Sequence, residues 1–247
     1  MFNLVGRRAE LTPAGQALFR QGQILVRQAE QLEERSASLA AGWESQLNLA
    51  VEIIFPPDML LRALEAFSLA APEPRVELYE SVLGGTEELL QEHLVDLAVC
   101  SQVPNGFVGE FLLHVTLTAV AAPHHPLHQL NRELSLNDLG QYRQMIIRDS
   151  GSRRTVRAAL EISEARWTVS HIATAISAVK MGLGFAWFPK ESIAEQLASG
   201  EVVPLPMQQG SERWVPLYLA FADPEFAGPG ARQLAKCLQD VTAKLSH

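Results

Sequence analysis

Five leucines, Leu11, Leu18, Leu25, Leu32 and Leu39, recur at a strict seven-residue interval between Leu11 and Ala41. That interval is the seam of a coiled coil, because every seventh side chain returns to the same face of a slightly underwound helix. Gly15, Gly22, Ala29 and Ser36 follow four positions behind successive leucines, so the same face also carries small residues over which two backbones approach closely. Gln, Glu and Arg fill the other faces. Thr12-Pro13 reads as an N-cap followed by proline at the first helical position, where the missing N–H costs nothing. About thirty residues make a rod roughly 45 Å long. A polar rod with one narrow apolar stripe needs a partner to bury it, so the pattern predicts self-association through Leu18, Leu25, Leu32 and Leu39.

The pattern changes after Gly42. Trp43-Glu44-Ser45-Gln46 is a short polar joint, and beyond it strand-like and helix-like periods alternate. Leu47 to Phe55 reads as a buried strand, and Pro57 to Ala70 as a helix with Leu60, Leu61, Leu64 and Phe67 on one face. Arg75 to Ser81 reads as a strand, Thr86 to His93 as a helix and Asp96 to Cys100 as a third strand, apolar enough to lie centrally in a parallel sheet. The β-prone run from Phe111 to Ala122 is long enough to cross between two lobes. A second α/β unit follows: a helical turn at Leu136 to Leu139, strands at Gln144 to Arg148, Trp167 to Ser170 and Phe185 to Phe188, and helices at Ser152 to Leu160 and Ile172 to Met181. Val215 to Ala222 is another long β run, leading into a helix from Gly230 to Leu245. The fold class is therefore α/β: the chain leaves one lobe, builds a second and returns, which makes a hinged cleft.

Composition narrows the setting. The chain has 247 residues, 47% of them hydrophobic, which supports real cores and excludes a disordered protein. Cys100 and Cys237 are its two cysteines, far apart, with neither a disulfide framework nor a metal spacing; they are expected to be buried small side chains in a reducing cytoplasm. No run approaches eighteen uninterrupted apolar residues, and Arg7, Arg8 and Glu10 interrupt the first twenty, so neither export nor a membrane partner is expected. Charge is uneven. Arg7, Arg8, Arg20 and Arg27 oppose Glu10 alone over residues 1–29, a balance of +3 in a chain of net −8. A basic end on an acidic body points to a polyanion at that end, and Arg7-Arg8 in the hairpin-like stretch Val5 to Leu11 are candidates for phosphate contacts of the kind a wing makes.

At this point the residues resemble a family. Phe2-Asn3-Leu4-Val5-Gly6-Arg7-Arg8-Ala9-Glu10-Leu11-Thr12-Pro13-Ala14-Gly15 is similar to the wing and linker-helix start of LysR-type transcriptional regulators, with their basic pair and Leu-Thr-x-Ala-Gly. Further matches follow in order: Pro72 and Val76, Leu94-x-Asp96-Leu97-Ala98-Val99, His125-Pro126-Leu127, Val179-x-x-Gly182-x-Gly184 and Phe188-Pro189. The resemblance implies a winged helix-turn-helix, a dimerising linker helix and a bilobed effector domain like a type 2 periplasmic binding protein. It divides the chain into a wing remnant at 1–11, a linker helix at 12–42, lobe I at 46–120 with 218–247, and lobe II at 121–217. About sixty residues of helix-turn-helix normally precede the wing, whereas this chain begins inside it; a truncated, proteolysed or mis-started form or a natural fragment, which does not bind an operator specifically by itself, is the expectation. Operator DNA, reached through the full-length protein, a small-molecule effector and a homodimer or homotetramer are the partners implied.

The same resemblance carries effector contacts onto loops at strand ends: Ile54, Phe55 and Pro56; Gly84, Gly85 and Thr86; Ser101 and Gln102; Asp149, Ser150, Gly151 and Ser152; and His171. Helix N-termini with the hydroxyls of Thr86, Ser150 and Ser152 suit a carboxylate, although each residue taken singly would serve equally as an N-cap. Ile54 and Phe55 stand where family members often place Ser or Thr, which favours an effector with an apolar or aromatic part. Enzyme patterns are absent: no Walker sequence or Gly-x-Ser-x-Gly elbow occurs, and Gly182-Leu183-Gly184 lies on the wrong side of its helix for a dinucleotide. Pro126 breaks the imidazole cluster His124-His125-Pro126-Leu127-His128, so neither a metal nor a cofactor is expected. A solute-binding protein of a transport system is the rival reading; it would share the two lobes but has no use for a basic wing or a leucine-heptad helix.

Overall fold

The structure, a computed structural model, describes residues 1–5, 8–23, 25–26, 29, 43–152 and 161–244. The chain opens with an antiparallel hairpin of β1 (Phe2–Val5) and β2 (Arg8–Leu11), in which Phe2 faces Leu11 and Val5 faces Arg8. Helix α1 follows from residue 13, with 13–23 continuous. Its start is capped as the Thr-Pro pair predicts: Thr12 Oγ1 accepts the Gly15 N–H at 3.0 Å. Leu18 and Leu25 are 55% and 64% exposed. Leu32, Leu39 and Arg7 lie outside the described residues, as does the helix expected over 152–160 beyond Ser152.

The joint at 43–46 leads into one continuous sheet. Its first part is parallel, β4 (Arg75–Ser81) beside β3 (Gln46–Glu52) beside β5 (Leu97–Cys100), with α2 (Pro57–Ala70) and α3 (Gly84–Gln91) as the connections. Burial on both faces explains the apolar composition of β5, all four of whose residues are buried. Two long strands, β6 (Gly109–Ala121) and β11 (Glu212–Phe221), then run antiparallel side by side through the centre. The end of β11 pairs with β5 and the end of β6 pairs with β9 (Phe185–Pro189), so this pair carries the sheet from one half to the other. Beyond β9 come β7 (Gln144–Ile147) and β8 (Arg166–Val169), while β10 (Val203–Pro204) pairs with β6. The strand order is β4-β3-β5-β11-β6-β9-β7-β8.

Apart from the helix expected over 152–160, the expected strands and helices of the two α/β units occur where the periodicity places them, with shifts of up to three residues at their ends. β3 stops at Glu52, earlier than the expected Phe55, because Ile53 and Ile54 turn and Phe55 N–H donates to Glu52 O at 2.9 Å. The short helices α4 (Pro126–Gln129), α5 (Leu136–Gly140) and α7 (Ala194–Ser199) connect strands of the second half. The last helix, α8 (Pro229–Ala243), packs against α2 and closes the first half. Leu47, Leu49, Phe67, Leu97, Leu234 and Leu238 fill the space between sheet and helices. The second half has its own core of Met145, Val179, Phe188 and Ile193 under α6 (Ile172–Lys180). Each such side chain contributes about 1.5–3 kcal/mol on leaving water. The two continuous strands β6 and β11 join the halves.

Candidate functional site

A cleft of about 450 Å³ lies between the halves of the sheet. From the first half it receives Glu52 and Ile54 at the end of β3, Ser81 and Val82 at the end of β4, and Ser101 and Gln102 after β5. These are the carboxyl ends of parallel strands, where the diverging connections leave a crevice. The second half contributes Gln144 and Ile147 from β7, Ile172 at the start of α6 and Trp187 from β9, and the crossing strand β11 adds Arg213 and Trp214. The lining is mostly apolar with a few polar groups, which is the make-up of a small-molecule pocket. A side cavity of about 180 Å³ adjoins it, lined by Glu87 and Asn105 among others, and shares Glu52, Leu83, Ser101 and Gln102 with the cleft.

Glu52 is the group that sequence reasoning missed. It is 4% exposed, and its Oε1 accepts both the backbone N–H and the hydroxyl of Ser101, each at 3.0 Å. Burial penalises its charged form and pushes the carboxyl from 4.5 up to about 7; the Ser101 bonds pull it down, and the charge of Asp149 raises it further. The neighbouring Cys100 thiol is pushed up to about 12 by burial and then by Glu52. Both cysteines are free and buried, as their isolation predicts. Arg213 lies with its guanidinium 5.0 Å from the Trp187 ring centre, and burial lowers its pKa. The guanidinium stays charged at any ordinary pH.

The expected contact residues divide. Ile54, Ser101 and Gln102 line the cleft. Phe55 is 3% exposed in the core of the first half, and Pro56 is the N-cap residue of α2. Thr86 is 1% exposed, and its hydroxyl shares a 2.7 Å hydrogen bond with Ser81. Gly84, Gly85, Asp149, Ser150, Gly151 and Ser152 meet one another across the mouth. Ser150 Oγ accepts the Val82 N–H at 2.9 Å, and Ser152 donates its N–H and its hydroxyl to the Glu88 carboxylate, at 2.8 and 2.9 Å. A Cβ on Gly85 would overlap Ser150, and one on Gly84 would sit 3.1 Å from Asp149 Oδ2, so glycine is what permits this approach. The N-terminus of α3, expected to face an effector anion, is thus faced by the chain's own Asp149. His171 is the exposed N-cap residue of α6 and makes no side-chain capping bond.

Of the imidazole cluster, His125 is packed into the second half. His125 is 3% exposed, its Nδ1 accepts the Leu127 N–H at 3.2 Å, and its ring meets Tyr142 edge-on. Among the described residues no group of three His, Cys, Asp or Glu side chains is placed to hold a metal ion. Among them, too, no helix is long and apolar enough to cross a membrane.

A bilobed α/β frame with a mostly apolar interlobe cleft defines a ligand-sensing or ligand-carrying domain. Residues 40–243 match the family described as LysR substrate binding domain, and the chain belongs to that family of transcriptional regulators. A relative, the probable HTH-type transcriptional regulator YhaJ of Escherichia coli (strain K12), is 27% identical over 207 residues, which are 82% of this chain and 69% of that protein. The effector binding domain of QuiR in complex with shikimate has the same fold, with a TM-score of 0.64 at 19% identity over 81% of this chain and 97% of that one. The full-length Vibrio cholerae virulence activator AphB superposes over 98% of this chain and 83% of its own, with a TM-score of 0.62 at 16% identity. The sheet is therefore the type 2 periplasmic-binding-protein-like fold expected from the resemblance. These relatives are transcriptional regulators rather than solute-binding proteins of transporters, which removes the rival reading.

Proposed function

We propose that this chain is the effector-sensing part of a cytoplasmic LysR-type regulator, in which a small molecule bound in the 450 Å³ cleft alters the angle between the halves and, through it, the geometry of an oligomer on DNA. The observation that carries this is the cleft itself, an apolar crevice at converging strand ends with a few oriented polar groups. Lobe I is 46–120 with 218–247 and lobe II is 121–217. The hairpin at 1–11 is the wing, with Arg7 and Arg8 as its phosphate-contacting pair, and 12–42 is the dimerising linker. The domain senses rather than catalyses, in keeping with relatives that are transcriptional regulators.

The effector is a small carboxylate with an apolar or aromatic part. Arg213 is the cation that lines the cleft for its anionic end, and Ile54, Ile147, Trp187 and Trp214 receive its body. Ser101 and Gln102 stay in the contact set; Gly84, Gly85, Thr86, Asp149, Ser150, Gly151, Ser152 and His171 act through closure of the mouth. Two tryptophans in the lining make the test direct. Aromatic acids added to the chain are expected to quench tryptophan fluorescence along a saturable curve, and Arg213→Ala to weaken that binding about tenfold or more. No saturable response to aliphatic or aromatic acids at millimolar concentration would overturn the reading.

A further inference from the structure

The polar groups of the cleft are unevenly spent. Ser81 has its hydroxyl in the bond to Thr86, and Ser101 Oγ donates to Glu52. Gln144 Oε1 accepts the Ile162 and Ser163 N–H groups at 3.0 and 3.2 Å, and Glu161 is ion-paired to Arg166 at 3.1 Å. Glu52 differs. Oε1 takes both Ser101 bonds, while Oε2 has no hydrogen-bond partner among the described residues. Its carboxyl borders the large apolar cleft and the small polar cavity at once. Oε2 is not among the fully buried unpartnered atoms, so it is reached from the cleft, and a ligand there that supplies the missing donor gains affinity and selectivity from it. A second anion at the same place would be repelled, whereas Arg213, also on the cleft lining, suits one.

We propose that Glu52 is a specificity-determining residue whose Oε2 accepts a hydrogen bond from the effector, so that the effector carries a hydroxyl or ammonium group on the end of its apolar body that points to the side cavity. This rests on the cleft being the effector site and adds which chemistry it selects. The ligand class is an aromatic or alicyclic acid with a donor group remote from its carboxylate. In its acid form Glu52 holds its proton on Oε2, because Oε1 is occupied by Ser101, and the preference for donors is then lost. Asp149, Cys100, Glu87, Glu161 and Arg213 are the other titratable groups facing this region, and Asp149 and Glu52 repel.

Three probes of one skeleton separate the possibilities: para-toluate, para-(hydroxymethyl)benzoate and para-(aminomethyl)benzoate, titrated calorimetrically into the chain at about pH 8, above the Glu52 midpoint of about 7. The wild type is expected to bind at least one donor-bearing probe about tenfold or more tighter than para-toluate. A preference for the hydroxyl probe alone identifies a neutral donor, and one that includes the amine identifies a cation; both support the proposal. Glu52→Gln, which keeps an acceptor for Ser101 but replaces Oε2 with an N–H donor, is expected to erase the preference while para-toluate still binds. Equal binding of all three probes to the wild type, or a preference that survives Glu52→Gln, overturns the role of Glu52 and leaves the cleft as effector site. Failure of all three to bind overturns both.

Discussion

Glu52 closes an apolar strand, Leu47-Asn48-Leu49-Ala50-Val51, and in the sequence it looks like the polar end of that strand. Its burial comes from pairing: Ser81 lies opposite it on β4, and Ser101 follows β5 on the other side. A raised folded-state pKa fixes the sign of its contribution. Between the unperturbed 4.5 and the native value of about 7, the folded protein holds a proton that the unfolded chain has released. Stability contributed by Glu52 is therefore full below pH 4.5 and lost as pH rises to about 7, by of order 3 kcal/mol. Glu52→Gln removes the titration, so urea midpoints of wild type and variant should diverge as pH rises through that window, with the variant more stable at the upper end. A difference that does not change with pH would show that Glu52 ionises freely. The expected residues Ile54, Ser101 and Gln102 were legible because each follows a strand end. Gln144, Trp187 and Arg213 were not, because they come from separate strands that only the sheet order brings together.

Elements were read most reliably where their ends carry their own chemistry. Thr12 and Pro13 mark the start of α1, and Pro57 opens α2 where the sequence places it. The N-terminus of α8 could not be read in this way. Gly228 supplies no capping side chain; instead Glu44, from the joint before β3, accepts the Gly230 N–H at 2.7 Å and the Ala231 N–H at 3.1 Å. Its carboxylate occupies the space a Cβ on Gly228 or Gly230 would need. A segment that looked like a mere joint thus ties the start of β3 to the last helix, with Glu44 and Gly230 186 residues apart. Glu44→Ala leaves two N–H groups unpaired at the positive end of the helix, and a loss of about 1–2 kcal/mol is expected in urea unfolding followed by circular dichroism. An unchanged midpoint would mean that water replaces the carboxylate without cost.

At the scale of the whole molecule, the two cores account for themselves and α1 does not. Leu18 and Leu25 stand more than half exposed, and a Cβ on Gly22 would meet nothing within 4 Å, so the chain offers this face no cover among its described residues. Burying one such leucine contributes about 1.5–3 kcal/mol, and two helices doing so together bury at least twice that number. A pair of chains joined along α1 would cover the exposed Leu18 and Leu25. The expected outcome is a sedimentation mass of two or four chains for the wild type. Leu18→Glu combined with Leu25→Glu sets acidic side chains against each other in the seam and should reduce the mass to a single 27.2 kDa chain. The cleft lies in a separate core, so the variant should retain the tryptophan quenching by aromatic acids that the wild type shows; loss of both properties would indicate unfolding, which circular dichroism separates from dissociation. A wild-type monomer, or a variant that keeps its full mass, would place the association elsewhere on the chain.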